Sequence, residues 1–115
     1  MLLKEFYDSI GGDYNEVFLQ LGDDEVILEF LRKFFAKNEL NELKVFLSEK
    51  KYKDAFMCVH NIKGYGLNMA LVPLYKAADV LCEALRKGKP VVNIEPMIEV
   101  LETTYNRIGD ALALL

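Results

Sequence analysis

The chain has 115 residues, enough for one domain, and 52% of them are hydrophobic, which supplies a packed core and excludes a disordered chain. A formal net charge of −4, with 28% charged residues, excludes the basic face that a nucleic-acid binder presents. No apolar run reaches the roughly 20 residues needed to cross a bilayer, and the start, MLLKEFYDSIGG, picks up charge at Lys4, Glu5 and Asp8 and lacks the basic segment of a secretory signal.

The apolar spacing is helical along nearly the whole chain, with no alternating run long enough for a strand. Residues 1–10 are expected to form a short, loosely held helix, broken by Gly11-Gly12. Asp13 and Glu16 form a capping box for a short helix, DYNEVFLQL, which Gly22 ends. Asp23 or Asp24 caps the next element. From there to about Lys50 there is no Gly or Pro, and Leu28, Leu31, Phe35, Leu40, Leu43 and Leu47 recur at helical steps. That pattern predicts one long amphipathic helix in which Asn38 and Asn41 are weak points but not breaks. Lys50-Lys51 marks a turn, and a third helix is expected over 53–70. Pro73 fits the first turn of a fourth, which ends at Gly88. After the linker KGKPVV, Asn93 caps the last helix, with Pro96 in its first turn. Ile94, Met97, Leu101, Ile108, Leu112 and Leu115 share one stripe of it.

Short connections between substantial helices make antiparallel neighbours. The expected fold is therefore all-α: an up-down-up-down antiparallel four-helix bundle over residues 23–115, with a short N-terminal helical segment, residues 1–22, packed on one end. The initial Met and compact ends read as a single free-standing domain, 1–115. Cys58 and Cys82 match no metal-ligand spacing and read as small apolar core residues in a reducing compartment, the cytoplasm.

The stretch CVHNIKGYGLNMAL, residues 58–71, holds the only histidine beside two glycines, each of which costs a helix interior about 0.5–1 kcal/mol against alanine. On a helical wheel Ala55, Val59, Ile62, Gly66 and Met69 form the core stripe, and His60 points to solvent. Phe56, Lys63, Gly64 and Leu67 lie within about 60 degrees of His60. Gly64, one turn along, leaves the imidazole uncovered, and Lys63 brings an ammonium near it. Phe56 and Leu67 add apolar surface expected to face water. Gly66, on the core stripe, lets a neighbouring helix approach closely. The combination describes a docking site for an anion-bearing partner.

At His60-Asn61-Ile62-Lys63-Gly64, followed by Tyr65-Gly66-Leu67-Asn68-Met69-Ala70, the chain resembles the histidine-containing phosphotransfer (HPt) domains, whose pattern is His-x-x-Lys-Gly, then small residues and often Asn-Leu-Gly. DYNEVFLQLGDDEVILEFLRKF resembles the family's short first helix, its Gly-Asp punctuation and its long second helix. The resemblance implies a four-helix bundle in which His60 accepts the phosphoryl group, Lys63 offsets its charge and Gly64 admits the partner. Phe56, Leu67 and Asn68 complete the docking surface. The implied partners are receiver domains of response regulators or hybrid histidine kinases, which bring the Mg²⁺. The chain itself is expected to bind no cofactor and no metal, to act as a monomer, and to touch neither nucleic acid nor membrane. With no ATP-binding motif it reads as a phosphocarrier, not an enzyme. Three positions depart from the family pattern. Cys82 stands where Glu or Gln is frequent, with Glu83 next to it; Lys51 stands where an Asp often caps the histidine helix; Tyr65 replaces a small residue. The competing reading is a helical interaction module that uses the same surface and transfers nothing. A metal- or cofactor-binding bundle is disfavoured, because Met57 stands where a Glu-x-x-His pair needs its Glu and no second histidine exists.

Overall fold

Short polar caps and left-handed residues punctuate the chain into helices. The computed structural model describes residues 1–115. It contains α1 (Leu3–Ile10), α2 (Tyr14–Leu21), α3 (Asp24–Lys37), α4 (Glu39–Ser48), α5 (Tyr52–Asn68), α6 (Val72–Leu85) and α7 (Glu95–Leu112), and no strand. The fold is all-α. Asp13 accepts a hydrogen bond from the Glu16 amide at 3.1 Å, and Asp23, not Asp24, caps α3 by accepting from Glu25 and Val26. The Asn93 side chain accepts from the Glu95 amide at 3.2 Å. Gly11 and Gly22 end their helices with φ of 75° and 69°, a conformation that costs glycine nothing.

Four expectations fail. The long second helix is broken: Asn38 adopts φ 55° and ψ 56°, ending α3 and starting α4. Asparagine tolerates this left-handed region better than other residues with a Cβ, and its side chain accepts from the Asn41 amide at 3.4 Å. The new direction buries Leu40 and Leu43, and Glu39 with them, the latter paired to Lys37 at 3.2 Å. The N-terminal helix is not loosely held either. Leu3, Phe6, Tyr7 and Ile10 are all buried, and burying side chains of this size is worth about 1.5–3 kcal/mol each. The Tyr7 hydroxyl donates to the Met69 carbonyl at 2.8 Å, and the Asp13 amide donates to the Ala70 carbonyl at 3.0 Å. Helix α1 thus clasps the turn between α5 and α6. In that turn α5 stops at Asn68, short of the expected 70, because Ala70 takes φ 55° and the Leu71 amide closes back on the Gly66 carbonyl at 2.8 Å. Likewise α6 stops at Leu85, three residues before Gly88.

Contacts along α5 and α6 run in opposite directions: Phe56 meets Arg86, Lys63 meets Asp79, and Gly66 meets Tyr75. The two helices are an antiparallel pair. On its other flank α5 meets α3 and α4. Tyr65 stacks on Phe34 with ring centroids 3.8 Å apart and donates to the Phe30 carbonyl at 2.7 Å, while the Cys58 thiol donates to the Glu39 carbonyl at 3.3 Å. Helices α3 and α4 also run against α7, through Arg32 to the Leu115 carbonyl, Phe35 to Tyr105, and Lys44 to Glu102. Helix α5 comes close to the α6 backbone at Gly66, where a Cβ would lie 2.9 Å from the Tyr75 amide nitrogen and 3.2 Å from its Cα.

Two outcomes are expected from this packing. Gly66→Ala should lower folding stability by about 1–3 kcal/mol in a denaturant titration, despite better helix propensity, because backbone must move to admit the methyl. The second concerns Tyr105, whose hydroxyl is buried without a hydrogen-bond partner. Burial pushes its pKa up to about 12, and raises those of Tyr7 and Tyr65 also. A raised folded-state pKa gives stability that is complete below the unfolded value of about 10 and is lost as pH climbs toward the folded values. Melting temperature should therefore fall above about pH 10, and Tyr105→Phe should flatten that fall without loss at pH 7, since it removes an unsatisfied group.

Candidate functional site

The site is built on the outward face of α5, and its phase is set by the inward face. Ala55, Val59, Ile62 and Gly66 are buried, with Met69 just beyond the helix end, so His60 is exposed. The imidazole makes no hydrogen bond within the chain. Its neighbour is the Phe56 ring, one turn back, at 6.0 Å between centroids and 42° between planes. One turn forward is Gly64, where a Cβ would meet nothing within 4 Å. That glycine gives no close packing, so its only local effect is to leave open space beside the histidine. Leu67 is 53% exposed on the same face, and Asn68, the last residue of α5, is exposed too.

Phe56 departs from expectation. It is half-buried and packs against the core, and the Arg86 guanidinium lies over its ring at 5.6 Å, a cation–π distance. Arg86 is itself gripped by Glu83 through three hydrogen bonds, Nη2 to Oε1 at 2.6 Å and Nε to Oε2 at 3.1 Å and to Oε1 at 3.2 Å. That grip holds the Glu83 carboxyl below its usual range. Lys63 reaches across to α6, where its ammonium lies 2.8 Å from Asp79 Oδ1. The hydrogen bond to Asp79 is the main reason the Lys63 pKa is raised.

Each departure from the family pattern has a structural account. Cys82 is fully buried, and burial pushes its thiol pKa up, so the sulfur is a core atom. Lys51 provides no side-chain cap to α5 and instead pairs with Glu49 at 3.3 Å. Tyr65 is accommodated by stacking on Phe34. Sequence reasoning missed Asp79 and Arg86. Their signal was the antiparallel register of α5 and α6, which sets residue 79 opposite 63 and 86 opposite 56. No group of three or more His, Cys, Asp or Glu side chains converges to hold a metal ion, and no helix is long and apolar enough to cross a membrane. Comparison with protein-family models, with curated proteins and with solved structures finds no match to this chain.

The two apolar residues flanking His60 should now behave differently. Leu67→Ala, at an exposed position, should change folding stability by no more than about 0.5 kcal/mol. Phe56→Ala should cost about 1–2 kcal/mol, part of the loss expected for a fully buried ring. Thermal melts of both variants check the contrast; equal losses would mean that Leu67 also packs.

Proposed function

We propose that the chain is a histidine phosphotransfer protein of the HPt type, which carries a phosphoryl group on His60 between aspartates of receiver domains. One observation carries the reading: the single histidine is exposed on a helix whose opposite face is buried, with open space over Gly64 and an ammonium-bearing residue three positions on. The fold proposed with it is a four-helix bundle of α5, α6, α7 and a first member broken into α3 and α4. The opposed contacts of α5 with α6, and of α3 and α4 with α7, support that arrangement.

In the proposed step a ring nitrogen of neutral His60 attacks the phosphorus of an aspartyl phosphate in line. The P–O bond to the aspartate breaks and its carboxylate leaves, a P–N bond forms, and the proton on the other ring nitrogen passes to solvent. The transition state is loose, so positioning and charge compensation matter more than bond-making by the protein. Mg²⁺ on the receiver would supply charge compensation at the donor aspartate. This chain contributes an accessible nitrogen, the Gly64 gap through which the partner approaches, and the Lys63 ammonium. Because the chain lacks a nucleotide-binding motif, the phosphoryl group comes from another protein, which makes this one a carrier.

The test is direct. Mixed with phosphorylated receiver domains and Mg²⁺, the wild type should acquire an acid-labile, base-stable phosphoryl group. His60→Gln should acquire none while melting at the wild-type temperature, since the exposed ring has no core contacts. Label on the His60→Gln variant would exclude His60 as acceptor; a wild type that binds receivers but takes no label would favour the interaction module instead.

A further inference from the structure

Two cations beside the His60 face, Lys63 and Arg86, are both already committed. Arg86 is bound bidentately by Glu83, and Lys63 is bound by Asp79. The second pair is the more sheltered, with only 24% of the Lys63 side chain and 39% of the Asp79 side chain exposed. Sheltered pairs are screened less by salt than those on open surface. Tyr75, Cys82 and Glu83 of α6, and Arg86 just past its end, are the other titratable groups that act on this pair. On α5, His60 stands three residues before Lys63. A phosphoryl group on His60 would bring a charge of about −1.5 to −2 into this setting, next to an ammonium whose charge is offset in advance.

We propose that Asp79 is a positioning residue that sets how firmly the chain holds a phosphoryl group on His60, by competing with that group for the Lys63 ammonium. The proposal rests on His60 being the acceptor. A lysine ammonium has three donors on a flexible stem, so it can turn from Asp79 toward a phosphoryl oxygen or bridge the two. Either way Asp79 takes a share of the attraction. The phosphoryl group is then held less tightly than Lys63 alone would hold it, which suits a group that must be passed on. Glu83 does not replace Asp79 in this role, because its two oxygens are taken up by Arg86.

The test needs no receiver. Phosphoramidate phosphorylates exposed imidazole: its P–N bond breaks, ammonia leaves, a new P–N bond forms on the ring, and the ring proton goes to buffer. His60 is the only histidine, so every phosphohistidine signal in the ³¹P NMR spectrum, one for each ring nitrogen labelled, reports that residue. Titrating such a signal gives the pKa of the bound phosphoryl group, which reports the local field and does not respond to a merely structural role. Asp79→Asn should lower this pKa by about half a unit, a roughly threefold change in proton affinity. In a Lys63→Met background the same substitution should shift it less than half as much. An unchanged or raised pKa in Asp79→Asn, or an equal shift without Lys63, overturns the proposal. A wild type that phosphoramidate does not label overturns both this proposal and the acceptor reading. If instead the shifts are found but no receiver exchanges phosphoryl with His60, the competition stands and the phosphorelay reading falls.

Discussion

The outward face of α5 depends on one contact made by its inward face, the approach of backbone to backbone where Gly66 meets Tyr75. With no room for even a methyl at that point, α5 cannot rotate about its axis without driving a side chain into α6. Its phase is therefore fixed, with Ala55, Val59, Ile62 and Gly66 toward the core and residues 60, 64 and 67 away from it. The same contact sets the antiparallel register, which then places Asp79 beside Lys63 and Arg86 beside Phe56. A glycine that is costly for an isolated helix is in this way the residue that orients the histidine two turns earlier. Gly64 carries the same intrinsic cost without any packing return, so packing accounts for one of the two glycines and not for the other.

The turn that joins α5 to α6, just beyond Gly66, is held by a different device. The chain turns in three residues, with Ala70 in a left-handed conformation that a residue with a Cβ seldom adopts. Two hydrogen bonds from the N-terminal segment fall on this turn, from Tyr7 to Met69 and from the amide of Asp13 to Ala70. Helix α1 is too short to be stable alone, yet its buried Phe6 and Tyr7 make it part of the core and a clamp on the turn. The strained residue and the clamp occur together, as expected where surrounding structure must over-determine an unfavourable backbone.

Legibility in the sequence followed the range of the interactions. The caps at Asp13 and Asp23 act over two or three residues and could be read from local order, whereas the N-cap of α7 is Ile94, one residue past the expected Asn93, whose side chain still accepts from the Glu95 amide. The wheel of α5 could be read too, because the core stripe repeats at the helical period. The break at Asn38 could not. Its neighbours favour helix, and nothing in their apolar spacing distinguishes a straight continuation from a left-handed turn that redirects Leu40 and Leu43 inward. The firmness of α1 was hidden for the same reason, since its partners Met69 and Ala70 lie about sixty residues away in sequence. Phe56 was half legible: the wheel put it near His60, but its cover by Arg86 depends on which residue of α6 stands opposite.

What holds the imidazole is the point on which this site differs most from the family pattern it resembles. A carboxylate or amide on the adjacent helix would fix one tautomer by accepting from a ring nitrogen. Here the corresponding position is Cys82, fully buried with its thiol pKa raised, and the carboxylate beside it, Glu83, is turned to Arg86. The ring is flanked by Phe56 instead, and Phe56 is braced by Arg86, so a chain of contacts runs from Glu83 through Arg86 and Phe56 to His60. Such a flank limits the directions in which the ring can swing but selects neither nitrogen. If His60 is a phosphoryl acceptor, the choice of nitrogen then falls to the partner, and the space over Gly64 is an open path for its phosphoryl group. On that reading, approach over Gly64, on the side of the ring away from Phe56, would take over part of the orienting task that a hydrogen bond otherwise performs.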